Sequence, residues 1–430
     1  MRKSQSSRIC YMIRLSAERA FQTALPVRIG VRMSRFFQRS VFVLSLALLV
    51  ALIAGEFGLH AVRAGSDQDG AYKQMEIYSK VLSRIQSEYV TEPNLKDVTN
   101  GALHGLLETL DPDSSYLTPA QYKLYKDGPL GGDAQVGIVI SKRYGYATVV
   151  TVVPGSPADK EHFTDGDIIE AIGDQSTREL PLAVIKLLLE GKPGSTITVA
   201  VIRPRKSDPD KVSMTRVAAS MPVMAEQQFD SSSILYLKPG ELTAARVDEI
   251  AARLKTMGKS GNKKVLLDLR DVAQGDLDQG TRLANLFLKQ GTLATLSGQK
   301  FPTQTITADP AKWITDAPLA VLINRGTAGA AELAAGALGD SKRADVVGEH
   351  SFGQGTVQKT IELPDGAALL LTVAEYATPS GKKIMMDAIT PTVAVGPTPE
   401  QEAEDEETGA APPKADAALD KALELLKAKA

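Results

Sequence analysis

The stretch Ala317 to Gln358, APLAVLINRGTAGAAELAAGALGDSKRADVVGEHSFGQGTVQ, constrains the fold more than any other part of the chain. Its apolar run Leu319 to Ile323 has the length of a buried strand and stops at Asn324. Arg325-Gly326-Thr327 supplies a turn, and the alanine-rich segment Ala328 to Leu338 has helix composition. A second apolar run, Asp345 to Val347, leads through Gly348 into the glycine-punctuated loop FGQGTVQ. A turn that feeds a helix presents backbone N–H groups to an anion, a layout suited to the oxyanion of acyl transfer.

The same alternation surrounds this stretch. Val223 to Leu237 opens a domain in which Leu242 to Met257 and Leu277 to Lys289 read as helices, and Lys264 to Leu269 and Leu293 to Leu296 as strands. Such alternation argues an α/β architecture. Leu363-Pro364-Asp365-Gly366-Ala367 is a hairpin signal ahead of the β-rich run Ala368 to Tyr376. With 430 residues, the chain is long enough for two or three domains.

Composition excludes several classes. A net charge of −2 gives no reason to expect nucleic-acid binding. Cys10 is the single cysteine, so an intramolecular disulfide is impossible. His60, His104, His162 and His350 show no ligand spacing, and neither a metal nor a cofactor is expected.

Charge is nevertheless uneven, and the N-terminal end reads as an export segment. Val41 to Gly55 is an uncharged apolar run preceded by Arg35 and Arg39. It is short for a membrane span and lies at the upper limit for a signal-peptide core. Two outcomes stay open: cleavage after Ala61 or Ala64, or retention of residues 41–62 as an inner-membrane anchor. MSRFFQRS from Met33 is a complete signal n-region, which suggests a later start and would remove Cys10. A periplasmic or otherwise extracytoplasmic location is expected.

From Ala71 to Tyr89 and from Leu95 to Leu110 apolar residues recur with helical spacing, and Asp111-Pro112 stops the second helix. Residues 131–219 hold short β-rich runs between glycine turns, with PGSPAD and DGDIIEAI, and resemble a PDZ domain of the protease-associated type. Such modules bind a peptide by strand addition. The resemblance puts the carboxylate-binding loop at Val136-Gly137-Ile138-Val139 and the far wall on Leu182, Ile185 and Leu189 of a helix from Pro181 to Glu190. Those apolar residues could equally serve only the module's core.

The central stretch resembles the carboxyl-terminal processing peptidases, or tail-specific proteases. Their pattern N-E-G-S-A-S-A-S-E-I-x-A-G-A-L aligns with Asn324 to Leu338, and F-G-K-G-x-V-Q aligns with Phe352 to Gln358. The segment Ala102 to Tyr125 is similar to the family's L-D-P-H-S-x-Y-L region, where the helices pack on the core or on a second subunit. The resemblance implies a crotonase-like spiral of β-β-α units over residues 220–396, an inserted PDZ domain, and a helical region at 65–130. An acidic, proline-rich linker over 397–416 and a helix over 417–430 would follow, the helix docking on the core.

The resemblance also implies a serine nucleophile and a lysine base, and the corresponding positions are Gly329 and Gln354. Gly329 has no side chain, and the amide of Gln354 has no useful basicity near neutral pH. Asp271-Val272-Ala273-Gln274-Gly275 stands where the family has N-N-P-G-G, which leaves Gly275 and Ala330 as candidate oxyanion donors. Gln358 matches the glutamine that orients the family's lysine. The expectation is a pseudopeptidase that binds protein or peptide C-termini, forms a homodimer, or pairs with an active relative and regulates it. The alternative is an active serine-type endopeptidase with a relocated dyad drawn from Thr327, Ser351, Lys342, Lys359 and His350. Ser380 and Lys383 form a further S-x-x-K spacing in a stretch that resembles a structural part of the family's core.

Overall fold

The computed structural model of the chain describes residues 70, 72–128, 132–143, 145–203, 208–218, 223–385, 387–396 and 416–429. The basic N-terminus, the apolar run expected to direct export, and linker residues 397–415 lie outside them. Among the described residues no helix is long and apolar enough to cross a membrane. The chain divides into two compact units, Met1–Leu95 and Lys96–Ala430.

In the first unit, residues 72–88 form helix α1. Its apolar residues Tyr72, Met75, Ile77, Tyr78 and Val81 remain exposed.

Helix α2 (Leu95–Glu108) leads into the second unit, followed by strand β1 (Ser115–Leu117) and α3 (Pro119–Asp127). Thr118 caps α3 by a reciprocal exchange with Gln121: its hydroxyl accepts from the Gln121 N–H, and its own N–H donates to Oε1 at 2.9 Å. β1 belongs to a core sheet, so the region expected to be helical to residue 130 contributes a strand as well.

The PDZ-like module contains β2 (Ile138–Arg143), β3 (Tyr146–Val152), α4 (Pro157–Lys160), β4 (Ile168–Ile172), β5 (Gln175–Ser176), α5 (Leu182–Leu189), β6 (Thr196–Ile202) and β7 (Asp210–Thr215). Its antiparallel sheet runs β2-β3-β4-β6-β7, with β5 paired to β4. β2 therefore lies at an edge. Ile140, Val149, Ile169, Ile185 and Val199 fill the module's own core.

The larger domain follows with β8 (Ala225–Phe229), β9 (Ile234–Lys238), α6 (Ala244–Thr256), β10 (Lys264–Asp268), α7 (Leu277–Asn285), β11 (Thr292–Ser297) and β12 (Gln304–Thr307). It continues through β13 (Leu319–Ile323), α8 (Ala330–Asp340), β14 (Ala344–Gly348), β15 (Thr356–Glu362), β16 (Ala368–Ala377), β17 (Val393–Ala394) and α9 (Ala417–Ala428). One sheet has the order β17-β14-β13-β10-β9-β8 and is parallel except at its β8–β9 edge. The second, antiparallel sheet has the order β1-β16-β11-β12, with β15 also on β16.

The strand period explains why the runs in the parallel sheet are continuously apolar. Val265, Leu267, Leu319, Val321 and Ile323 face α6, α7 and α8, whereas Leu266, Ala320 and Leu322 face Ala422 and Leu426 of α9. Both faces are covered, so every side chain of β13 is buried.

Two of the helix boundaries that differ from the sequence expectation have a cause in the local bonding. α7 ends at Asn285, four residues before Lys289, because the Asn285 amide donates to the carbonyls of Leu288 and Asp309 at 2.9 and 3.1 Å. This turns the chain away from the helix axis. α8 begins at Ala330 instead of Ala328, because Gly329 has φ 60° and ψ −115°, outside the helical region.

Candidate active site

β13 delivers the chain into a tight, polar turn. Thr327 Oγ1 donates to the Leu269 carbonyl at 2.9 Å and accepts from the Asn324 N–H at 3.0 Å. Asn324 and Asp271 exchange two further bonds: Asn324 Nδ2 donates to Asp271 Oδ1 at 2.7 Å, and the Asp271 N–H returns to Asn324 Oδ1 at 3.0 Å. The turn and the 271–275 loop are thereby held together. Gly329 caps α8 with its positive φ, and a Cβ built there would meet only Leu277 Cδ2, at 3.7 Å. A Cβ at 329 thus has ordinary van der Waals room.

Glu332, one turn into α8, is fully buried and organises the site. Its Oε2 accepts from the N–H groups of Gly329 at 2.9 Å and Gln354 at 2.7 Å. Its Oε1 accepts from the Gly353 N–H at 2.7 Å and from the Ser351 hydroxyl. The Phe352 N–H completes the seam by donating to the Thr327 carbonyl at 2.9 Å. Burial pushes the Glu332 carboxyl up to about 7, against the pull of its four donors, which favour the charged form. Sequence reasoning passed over this residue, although it is the glutamate in the S-A-S-A-S-E pattern.

The two positions that carry the chemistry in the resembling family therefore both donate their N–H to one carboxylate oxygen. Gly329 offers no hydroxyl there. Gln354 lines a cavity with Arg143, Phe352, Thr356 and Met385. Arg143 comes from β2, donates to the Phe352 carbonyl at 3.0 Å and stacks over the Phe352 ring at 4.4 Å. Gln358 is exposed on β15, just past a β-bulge.

The oxyanion candidates have different reasons to persist. Ala330 is the first residue of α8 and is 2% exposed. Gly275 has φ 128°, and a Cβ there would stand 2.1 Å from the Leu242 carbonyl oxygen. Backbone packing alone requires glycine at 275.

The residues offered as a relocated dyad are dispersed or engaged. The Thr327 hydroxyl is committed to its turn and is fully buried. The Ser351 hydroxyl donates to Glu332 and accepts from the Ile389 N–H at 2.7 Å. Lys342 is exposed beyond the C-terminus of α8, Lys359 is exposed on β15, and His350 is exposed. Lys383 pairs with Glu375, and Ser380 Oγ lies 3.0 Å from Thr378 Oγ1.

In the PDZ-like module, Val136, Gly137, Ile138 and Val139 border a groove of 160 Å³ against α5. Of the three helix residues expected at its far wall, Leu189 lines the groove, whereas Leu182 and Ile185 turn into the module's core. Lys186 and Glu190 take up the rest of the helical wall, and Gln274 reaches it from the larger domain.

Behind β10, Asp268 is fully buried and accepts from Tyr236 Oη at 2.8 Å and from Arg270 Nη2 at 2.6 Å. Arg270 Nη1 continues to Asp416 Oδ1 at 2.8 Å, which fixes the start of α9. Asp268 and Arg270 thus form a structural clamp between the parallel sheet and the C-terminal helix.

Comparison with known proteins agrees with this arrangement. Residues 233–395 match peptidase family S41, and residues 134–215 match the PDZ domain. The carboxy-terminal-processing protease of Bartonella bacilliformis is 31% identical over 377 residues, spanning 86% of this chain and 84% of that one. The carboxyl-terminal-processing protease of a Picosynechococcus species is 33% identical, over 73% of this chain and 78% of the relative. The solved photosystem II D1 C-terminal processing protease superposes with a TM-score of 0.62 at 25% identity, covering 79% of this chain and 92% of that one. With the motifs in the same order and the same fold around them, the chain belongs to the carboxyl-terminal-processing proteases of peptidase family S41.

Proposed function

We propose that this chain is a pseudopeptidase that binds exposed protein C-termini through its PDZ domain. The observation that carries the reading is Gly329 at the N-terminus of α8: the backbone bend and the space beside it persist, and the attacking group is absent. Gln354 at the base position cannot take a proton from a hydroxyl. The open edge of β2 and the adjoining groove support peptide binding by strand addition. The basic and then apolar order of residues 1–64 supports an extracytoplasmic location, where such termini would be those of exported proteins.

A serine-reactive fluorophosphonate probe tests the loss of chemistry. The expected result is no specific labelling of the purified chain. Labelling that disappears in Thr327→Ala or Ser351→Ala would establish a relocated nucleophile and overturn the reading.

A further inference from the structure

The groove of the PDZ domain is not built by the PDZ domain alone. Gln274, from the loop of the larger domain that carries Gly275, lines the groove along β2 and also the adjoining chamber around Gly137 and Ser156. It therefore stands beside the loop that enters β2. Its main chain is fixed, because its carbonyl accepts from the Leu242 N–H at 2.9 Å and Gly275 packs directly on Leu242. The opposite side is fixed as well: Gly137 has φ 82°, and a Cβ there would stand 2.2 Å from Ser156 Cβ. Between these two rigid backbones the half-buried Gln274 side-chain amide has no hydrogen-bond partner among the described residues. In the N-N-P-G-G pattern that this loop resembles, position 274 is a glycine, so the amide is an addition to the groove.

The surroundings limit what the amide can serve. Val136, Ile138, Ile140 and Leu189 supply apolar walls for one side chain. Lys186 borders the same groove, but so does Glu190, and Glu241 borders the adjoining chamber. Burial raises the pKa of both carboxyl groups. An incoming carboxylate would meet repulsion from their charged forms, and a neutral donor placed between them offsets it without adding charge.

We propose that Gln274 donates a hydrogen bond from its side-chain amide to the terminal carboxylate of a protein C-terminus laid along β2, with the apolar last side chain against Leu189. The C-terminus site is then shared between the two domains, and Gln274 is a specificity-determining residue for a free carboxylate. This rests on the PDZ groove being a C-terminus site.

The test uses the purified full chain and a fluorescent unstructured peptide with an apolar last residue, prepared as the free acid and as the C-terminal amide. Binding is read by anisotropy for the wild type, Gln274→Ala and Gln274→Gly, with melting temperatures as the check on folding. The wild type should prefer the acid. Both variants should lose about ten-fold in affinity for the acid and little for the amide. Unchanged preference for the acid in both variants, or equal loss for acid and amide, overturns the role of Gln274 and leaves the C-terminus site standing. A wild type that binds neither peptide, or binds both alike, overturns the C-terminus reading itself. If Gln274→Ala fails to fold, Gln274→Gly decides, since glycine fits the backbone of this loop in the resembling family.

Discussion

The backbone N–H groups of Gly329 and Gln354 donate to the same oxygen of Glu332, at 2.9 and 2.7 Å. The two positions that the family resemblance makes nucleophile and base are thus held by one carboxylate through their main-chain N–H groups. The geometry of the turn and of the 351–354 loop therefore does not depend on the side chains at 329 and 354. The clamp acts on main chain, and main chain survives substitution.

Removing the clamp should loosen the site and the fold together. Glu332→Ala leaves three N–H groups and the Ser351 hydroxyl without their acceptor in a buried setting. The expected loss is about 3 kcal/mol or more of unfolding free energy, measured by urea denaturation. Glu332→Gln keeps one acceptor oxygen but sets an NH2 group against donors, and should lose about 1–3 kcal/mol.

The same residue predicts a pH dependence. Its carboxyl is raised from 4.5 to about 7 in the folded chain, so between these values the folded state holds a proton that the unfolded state has released. Its contribution is fully present below about 4.5 and is lost as pH rises through about 7. The slope approaches about −1.4 kcal/mol per pH unit at its steepest. Denaturation of wild type and Glu332→Gln across this window should show the slope in the first and its loss in the second.

Gly275 and Gly329 should respond differently to alanine. At 275 a Cβ would strike the Leu242 carbonyl at 2.1 Å, so Gly275→Ala should lose about 3 kcal/mol. At 329 there is room, and only the positive φ opposes a side chain, so Gly329→Ala should lose about 1–2 kcal/mol. Paired urea melts distinguish the two.

Much of this was legible in the sequence because it is local. The span from Asn324 to Leu338 encodes its strand, turn and helix within a few residues, and Gly329 and Gln354 stand as single letters where the resembling family has serine and lysine. Glu332 was not legible as a clamp, because three of its donors come from residues 351–354 and only folding brings them there. The early end of α7 depends on Asp309, far from Asn285 in sequence. Leu182, Ile185 and Leu189 share helical spacing, yet only packing decides that Leu189 lines the groove. The role of Gln274 depends on contact between domains, for which periodicity holds no signal.

The Asp268 clamp gives another test. Arg270→Ala strands a fully buried carboxylate beside Tyr236 and should lose about 3–5 kcal/mol, with α9 detached from the sheet. Asp416→Ala removes the partly exposed end of the chain of bonds together with the α9 N-cap that accepts from the Leu419 N–H at 3.0 Å, and should lose about 1–2 kcal/mol. Hydrogen exchange in residues 417–428 would report the detachment.

The most direct measurement compares cleavage of an unstructured protein with an apolar C-terminus by the wild-type chain and by a Gly329→Ser, Gln354→Lys double variant. The account predicts a silent wild type and a double variant that gains activity, because the bend at 329, its open space and the Glu332 clamp all remain. Cleavage by the wild-type chain that persists through stringent purification would contradict it.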